Sequence, residues 1–144
     1  MEKLTKVTKL NHKLVAGHQA EESAVRLLLS KGYRILDRNV RYKMGELDII
    51  ATDGPVLCFI EVRSRHNQKH SDPKASVRVD KQTKLIRAAT LYLKKKYGQK
   101  MPRCRFDVVG VTGYGVMQKL ELIKRAFELR VEPRRRTGNP WQAY

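Results

Sequence analysis

Hydrophobic positions along the chain fall into two spacings, and these divide it into elements. Ala20, Ala24, Leu27 and Leu28 recur at helical spacing and predict a helix from about Ala16 to Lys31, closed by Gly32. Tyr33 to Tyr42 follows as a strand, with Ile35 and Leu36 expected in its core. Gly45 then breaks the chain before a second strand, about Glu46 to Thr52. Asp53-Gly54-Pro55 is a turn signal. A third strand is expected from about Leu57 to Arg65, and a polar loop to about Arg78. A second helix, about Asp80 to Tyr97, carries Leu85, Ile86, Ala89, Tyr92 and Leu93 on one face, and Gly98 closes it. Arg105 to Thr112 reads as a strand, Gly113-Tyr114-Gly115 as a turn, and Val116 to about Ile123 as the last strand.

The order helix, three strands, helix, two strands predicts one α/β domain, with helices flanking a central mixed β-sheet. Residues 1–13 are polar and basic without a clear core face and read as a flexible arm. The domain is expected over 14–131, and 132–144 as a basic C-terminal tail containing Arg134, Arg135 and Arg136.

Against this pattern, certain acids stand out. Glu46 and Asp48 open the apolar run Ile49-Ile50-Ala51, and Glu61 follows the run Val56 to Ile60. A charge in a buried strand is costly unless something pairs with it. The register of the hairpin decides whether these acids meet. A two-residue turn at Asp53-Gly54 would pair Thr52 with Pro55 and put a proline into the ladder. A turn over Asp53 to Val56 pairs Thr52 with Leu57 and sets Asp48 directly opposite Glu61. The neighbouring register sets Glu46 opposite Glu61. Opposed residues have Cβ atoms about 5 Å apart, a spacing that suits two carboxylates on one cation. Without a cation, the like charges repel and one pKa rises. The rival reading sets both acids on a solvated face, paired with Arg63 or a lysine.

A third acid lies in the first helix. Glu21 is seven residues before Leu28, a rotation of about 700°, so it falls within the stripe of Ala24 and Leu28 while Glu22 points away. A glutamate at the edge of that stripe could instead reach out to solvent.

Charge sets the class of partner. In 144 residues, Lys and Arg number 31 against 14 Asp and Glu, a formal net charge of +17. Such a field attracts polyanions, nucleic acid before anionic membrane. No apolar stretch reaches the length of a membrane span, and lysines interrupt any secretory segment, so a cytoplasmic, nucleoid-associated location is expected. Cys58 and Cys104 form no close motif and read as small core residues in a reducing compartment. His66 and His70 have a zinc-like spacing, but they lie in a polar segment without further soft ligands.

Several motifs together resemble a known family. Gly17-His-Gln-Ala-Glu21, Gly32-Tyr33, Arg38-Asn39, Gly45-Glu-Leu-Asp48, Glu61-Val-Arg63 and Arg105-Phe-Asp-Val-Val109 resemble the YraN-like bacterial proteins. That family looks like a branch of the PD-(D/E)XK nuclease superfamily and is similar to archaeal Holliday-junction resolvases. The likeness runs from about Val15 to Val111. It implies a restriction-endonuclease-like fold and a Mg²⁺- or Mn²⁺-dependent endonuclease. Asp48 and Glu61 would be the metal ligands, with Glu21 as an outer one. The superfamily lysine position falls on Arg63, and a later helix position on Lys81 or Gln82. Arginine stays protonated and cannot serve as a base, though it can hold a phosphate.

On this reading Glu21, Asp48, Glu61 and Arg63 carry the chemistry, and Arg63, Arg65, Lys81, Gln82, Lys84 and Arg87 bind nucleic acid. Aromatic residues are few (3 Phe, 1 Trp, 6 Tyr), so backbone and shape recognition of branched duplex DNA is expected ahead of base readout. Cutting a junction twice points to a homodimer. The sequence names no helicase or recombination partner. Two rivals stand beside the nuclease: a catalytically weak or inactive nucleic-acid-binding module of the same fold, and an RNA- or ribosome-associated basic protein, which leaves the three acids unexplained.

Overall fold

The computed structural model describes residues 2–65 and 78–127, with side chains from Leu14 to Ser64 and from Arg78 to Phe127. His66, His70 and the tail 132–144 lie outside the described residues.

The elements are α1 (Glu2–Ser30), β1 (Arg34–Tyr42), β2 (Gly45–Asp53), β3 (Val56–Arg65), α2 (Val79–Tyr97), β4 (Cys104–Thr112), a single 3-10 turn (Gly115–Met117) and β5 (Lys119–Phe127). The five strands lie side by side in sequence order. All neighbours are antiparallel except β3 and β4, which run parallel. A parallel pair needs a long crossover, and α2 lies within it. The result is the expected α/β domain, a mixed sheet with one helix against each face, consistent with a restriction-endonuclease-like fold.

Two apolar layers hold it together. On one face Leu85, Ala89 and Leu93 of α2 pack with Leu57, Phe59 and Phe106. On the other, Ala20, Ala24 and Leu28 of α1 pack with Cys58, Ile60 and Val109. The small alanines let α1 approach the sheet closely. Leu57, Cys58, Phe59 and Ile60 are all buried, because β3 is central and covered on both sides. Packed rings extend the α2-side layer to the sheet edge: Phe59 and Phe106 meet at a tilt with centroids 5.6 Å apart, and Phe106 stacks on Phe127 at 4.6 Å.

The hairpin joining β2 and β3 takes the register argued from the proline. Thr52 pairs with Leu57, and the ladder tightens by one further pair, Asp53 with Val56. Gly54 has φ 57°. A left-handed glycine followed by Pro55 makes a two-residue turn that keeps the proline out of the ladder.

Two boundaries and the exposure of one residue differ from expectation. α1 begins at Glu2, well before Ala16. Residues 2–13 lack an apolar face, but no Gly or Pro precedes Gly17 to break the helical backbone. Leu36 is exposed because the register of β1 against β2 shifts between Ile35 and Asp37. The last strand begins at Lys119, not Val116, and runs on to Phe127. Gly113 and Gly115 have φ 77° and 52° and extend the turn through Met117.

Candidate metal and nucleic-acid site

The β2–β3 ladder runs from Asp53–Val56 to Ile49–Ile60 and stops there. Asp48 and Glu61 are the next residues on the two strands. Asp48 Oδ2 accepts a hydrogen bond from the Val62 backbone N–H at 2.9 Å, standing in for a strand carbonyl where the ladder ends. The two-residue alternation of β2 also breaks here. Leu47 and Ile50, three positions apart, both pack on the α2 side, whereas Ile49 packs on the α1 side. On β1, the residue opposite Asp48 is Asn39, between the Arg38–Ile49 and Val40–Leu47 pairs, and its φ is 50°. Asparagine tolerates this left-handed conformation better than most residues.

Glu61 is buried at 4% exposure. Its Oε1 meets Lys81 Nζ at 3.0 Å and Arg63 Nε at 3.5 Å. Its Oε2 is buried and meets no hydrogen-bond donor among the described residues, and Arg63 Nε likewise makes no hydrogen bond with them. Burial pushes the Asp48 carboxyl up to about 8; the facing charge of Glu61 and a side-chain hydrogen bond with it add to this, Glu21 adds less, and the Val62 N–H pulls the other way. A small cavity of about 10 Å³ touches both acids, with Leu47, Phe59, Ile60, Leu85 and Phe106 as its other walls. That is room for about one water-sized particle.

The side chains predicted from sequence divide as follows. Asp48 and Glu61 converge. Glu21 is half-buried on α1 and lies near enough to act on Asp48 electrostatically. Glu46 sits apart on the surface, paired with Arg41 at 3.2 Å, and Glu22 points away to Arg38 at 2.6 Å. Arg63 and Lys81 reach Glu61; Gln82 is half-buried on α2, while Lys84 and Arg87 are exposed. Arg65 pairs with Thr112 through its backbone, and its side chain lies outside the described residues. Among the described residues, no three His, Cys, Asp or Glu side chains form a ready metal cage. The two opposed carboxylates, one with an orphaned oxygen, form a hard oxygen donor set that suits Mg²⁺ or Mn²⁺.

Gly45 explains how Lys81 gets there. A Cβ at Gly45 would stand 3.0 Å from the Lys84 carbonyl oxygen. The start of β2 therefore lies directly against the backbone of α2, and the same turn of helix delivers Lys81 to Glu61. The sequence marks Gly45 only as a break; the close approach is its physical reason.

Sequence reasoning missed a second acidic cluster on the α1 face. Asp107 is fully buried. It accepts hydrogen bonds from Arg105 Nε at 2.9 and 3.1 Å, from Tyr33 Oη at 3.2 Å and from the Arg125 backbone N–H at 3.0 Å. Arg105 also reaches Asp53 at 2.6 Å, and Lys124 reaches Asp53 at 2.9 Å. Both oxygens of Asp107 are satisfied by protein donors, so this cluster ties the connection after α1, the β2–β3 hairpin and β5 to β4. Glu61 differs in having an oxygen that no N–H, ammonium or hydroxyl group among the described residues satisfies.

Fold and site together define a single-domain protein of the restriction-endonuclease-like class, with an acidic pair where two central strands part. The chain belongs to the UPF0102 family, the YraN-like group its motifs resemble: the profile described as "Uncharacterised protein family UPF0102" matches residues 20–111. It is similar to a UPF0102 protein of Chlorobium phaeobacteroides, 44% identical over 117 residues, covering 77% of this chain and 92% of the relative. A UPF0102 protein of Desulfosudis oleivorans is 44% identical over 119 residues, covering 83% and 94%. One from Symbiobacterium thermophilum is 44% identical over 112 residues, covering 77% and 94%. The profile's span takes in Glu21, Asp48, Glu61, Arg63 and Lys81. No helix among the described residues is long and apolar enough to cross a membrane.

Proposed function

We propose that this protein is a divalent-metal-dependent endonuclease that hydrolyses phosphodiester bonds in branched DNA. The observation that carries the reading is the buried Oε2 of Glu61, which no N–H, ammonium or hydroxyl group among the described residues satisfies, beside the Asp48 carboxyl. A fold does not keep two opposed acids at a parting of strands, one with an orphaned oxygen, for stability's sake. Asp48 and Glu61 would hold Mg²⁺ or Mn²⁺, with Glu21 acting through a water. Such a metal, when bound, lowers the pKa of its water and polarises the scissile phosphate. Arg63 holds phosphate oxygens and stabilises their charge without exchanging a proton. Lys81, already against Glu61 Oε1, neutralises charge on the same group. Arg65, Gln82, Lys84 and Arg87 follow the duplex backbone. Action on chromosomal DNA would place the protein at the nucleoid, and paired cuts across a junction would call for a homodimer.

One observation favours a second reading. Lys81 and Arg63 already supply positive charge to Glu61, so the site can exist as a closed ion cluster in a module that binds DNA without cutting it. One assay separates the two. Purified protein is incubated with four-way, flap and linear DNA in Mn²⁺, in Mg²⁺ and in EDTA. Metal-dependent nicking that disappears in Asp48→Asn and Glu61→Gln supports the nuclease. Tight binding to branched DNA with no nicking in either metal supports the binding module. Nicking that persists in both variants would point to a contaminant and remove the nuclease reading.

A further inference from the structure

The chain exposes an apolar tip at the end of the sheet that carries the acids. Between β4 and β5, Val116 is fully exposed, Met117 is 77% exposed and Tyr114 55%. Leaving such side chains in water is unfavourable, and the tip is not a slack loop. Met117 N–H donates to the Tyr114 carbonyl at 3.0 Å, and Gln118 N–H to the Gly115 carbonyl at 3.2 Å. Gly113 is left-handed, and a Cβ there would stand 3.0 Å from the Met117 carbonyl oxygen. The backbone is thus folded to present apolar side chains outward.

Register gives the tip its neighbours. In the parallel β3–β4 pair, Glu61 stands beside Val108, Arg63 beside Gly110 and Arg65 beside Thr112, the last residue before the tip. Thr112 in turn pairs with Lys119. From Glu61 to the tip is about five residues of strand, or roughly 16 Å. That is less than the length of one turn of duplex, about 34 Å. A nucleic acid lying on the acids and on Arg63 therefore reaches the tip.

We propose that Tyr114, Val116 and Met117 form an apolar wedge that contacts unstacked bases at a branch point in nucleic acid. The proposal rests on the reading of the site as one that engages branched DNA, and it says how the branch is told from plain duplex. Apolar side chains insert at disrupted base steps, where the bases have lost their stacking partners, and the exposed Lys119 beside the tip adds attraction to phosphate. The tip exposes on the order of a few hundred Å². A stable dimer needs about 800 Å² from each partner, so the tip alone does not make one. The net charge of +17 also opposes self-association. An anionic bilayer would meet the same apolar-plus-basic chemistry, but it would not explain why the tip lies in line with the acids.

The test uses the full chain in EDTA, so that binding is read apart from cleavage. Four-way and linear duplexes of one sequence, the former with 2-aminopurine at the branch point, are titrated at fixed salt. The variants are the double substitution Val116→Ser/Met117→Ser and its conservative partner Val116→Leu/Met117→Leu. The wild-type protein is expected to favour the junction and to change the 2-aminopurine signal. The serine variant should lose about tenfold of that preference, the scale of one lost stacking contact, and keep its linear-duplex affinity. The leucine variant should retain both. Equal loss on both duplexes, or no loss, overturns the wedge. So does a serine-sensitive dimer in sedimentation, or serine-sensitive binding to phosphatidylglycerol vesicles without a junction effect. If the wild-type protein binds neither duplex, the reading of the site falls as well. If it binds both equally but nicks DNA in Mn²⁺, only the wedge falls.

Discussion

Replacing Asp48 with asparagine should stabilise the metal-free protein at neutral pH, although it removes a residue placed at the centre of the site. The native fold holds the Asp48 carboxyl up to about 8, first through burial and then through the charge of Glu61. In the unfolded chain an aspartate titrates near 3.9. Between these values the native state binds a proton that the unfolded state has released. Stability therefore falls as pH rises through this window, by about 1.4 kcal/mol per pH unit for one proton. From pH 5 to pH 7 the loss is about 2–3 kcal/mol, an upper figure because Asp48 is partly exposed. Asparagine cannot ionise, and its oxygen can still accept the Val62 N–H that Asp48 takes at 2.9 Å. Urea unfolding in EDTA at pH 5, 6 and 7 measures the difference. The wild-type stability should decline relative to Asp48→Asn across the series, and Asp48→Asn should be the more stable at pH 7. Adding Mn²⁺ at a hundredfold excess over its Kd should restore about 2.7 kcal/mol to the wild type and nothing to the variant. Parallel pH slopes for the two proteins would refute the reasoning, because Asp48 would then be an ordinary ionised carboxylate.

Other substitutions test the supporting structure. Asp107→Ala should cost about 3–5 kcal/mol in urea unfolding, because it strands the Arg105 guanidinium and the Tyr33 hydroxyl among buried groups. Gly45→Val should cost about 1–3 kcal/mol by pushing β2 off the Lys84 carbonyl, and should lower any metal-dependent nicking by more than the folded fraction falls. Lys81→Met removes the ammonium 3.0 Å from Glu61; with Lys81 44% exposed, the loss in EDTA should be only about 1 kcal/mol.

Much of the fold was legible because its signals are local. The apolar run of β3, the face of α2 and the glycines after each helix follow from neighbours in the chain. The register of the hairpin was legible for a firmer reason. A proline excludes one pairing, and the pairing that remains sets Asp48 against Glu61. What escaped depends on tertiary neighbours. Val116 and Met117 look like the start of a strand, and only the left-handed Gly113 and Gly115 before them turn them out to solvent. Asp107 and Glu61 are both acids in apolar runs, and nothing local tells them apart. One is satisfied by Arg105, two residues before it, and by Tyr33 and the Arg125 N–H, which lie far away in sequence; the other keeps an oxygen without a donor among the described residues. Lys81 reads from the sequence as a residue that follows a phosphate backbone. Its contact with Glu61 depends on α2 lying against Gly45, which spacing along the chain does not reveal.

The central claim is that Asp48 and Glu61 are a metal grip, and Mn²⁺ binding tests it most directly. Mn²⁺ is titrated into metal-free protein and the free ion is followed by electron paramagnetic resonance. The account predicts one saturable site per chain, lost in Asp48→Asn and in Glu61→Gln, and kept in Glu46→Gln, whose carboxylate pairs with Arg41 on the surface. An absence of saturable binding in the wild-type protein, or equal binding in all four proteins, would contradict it.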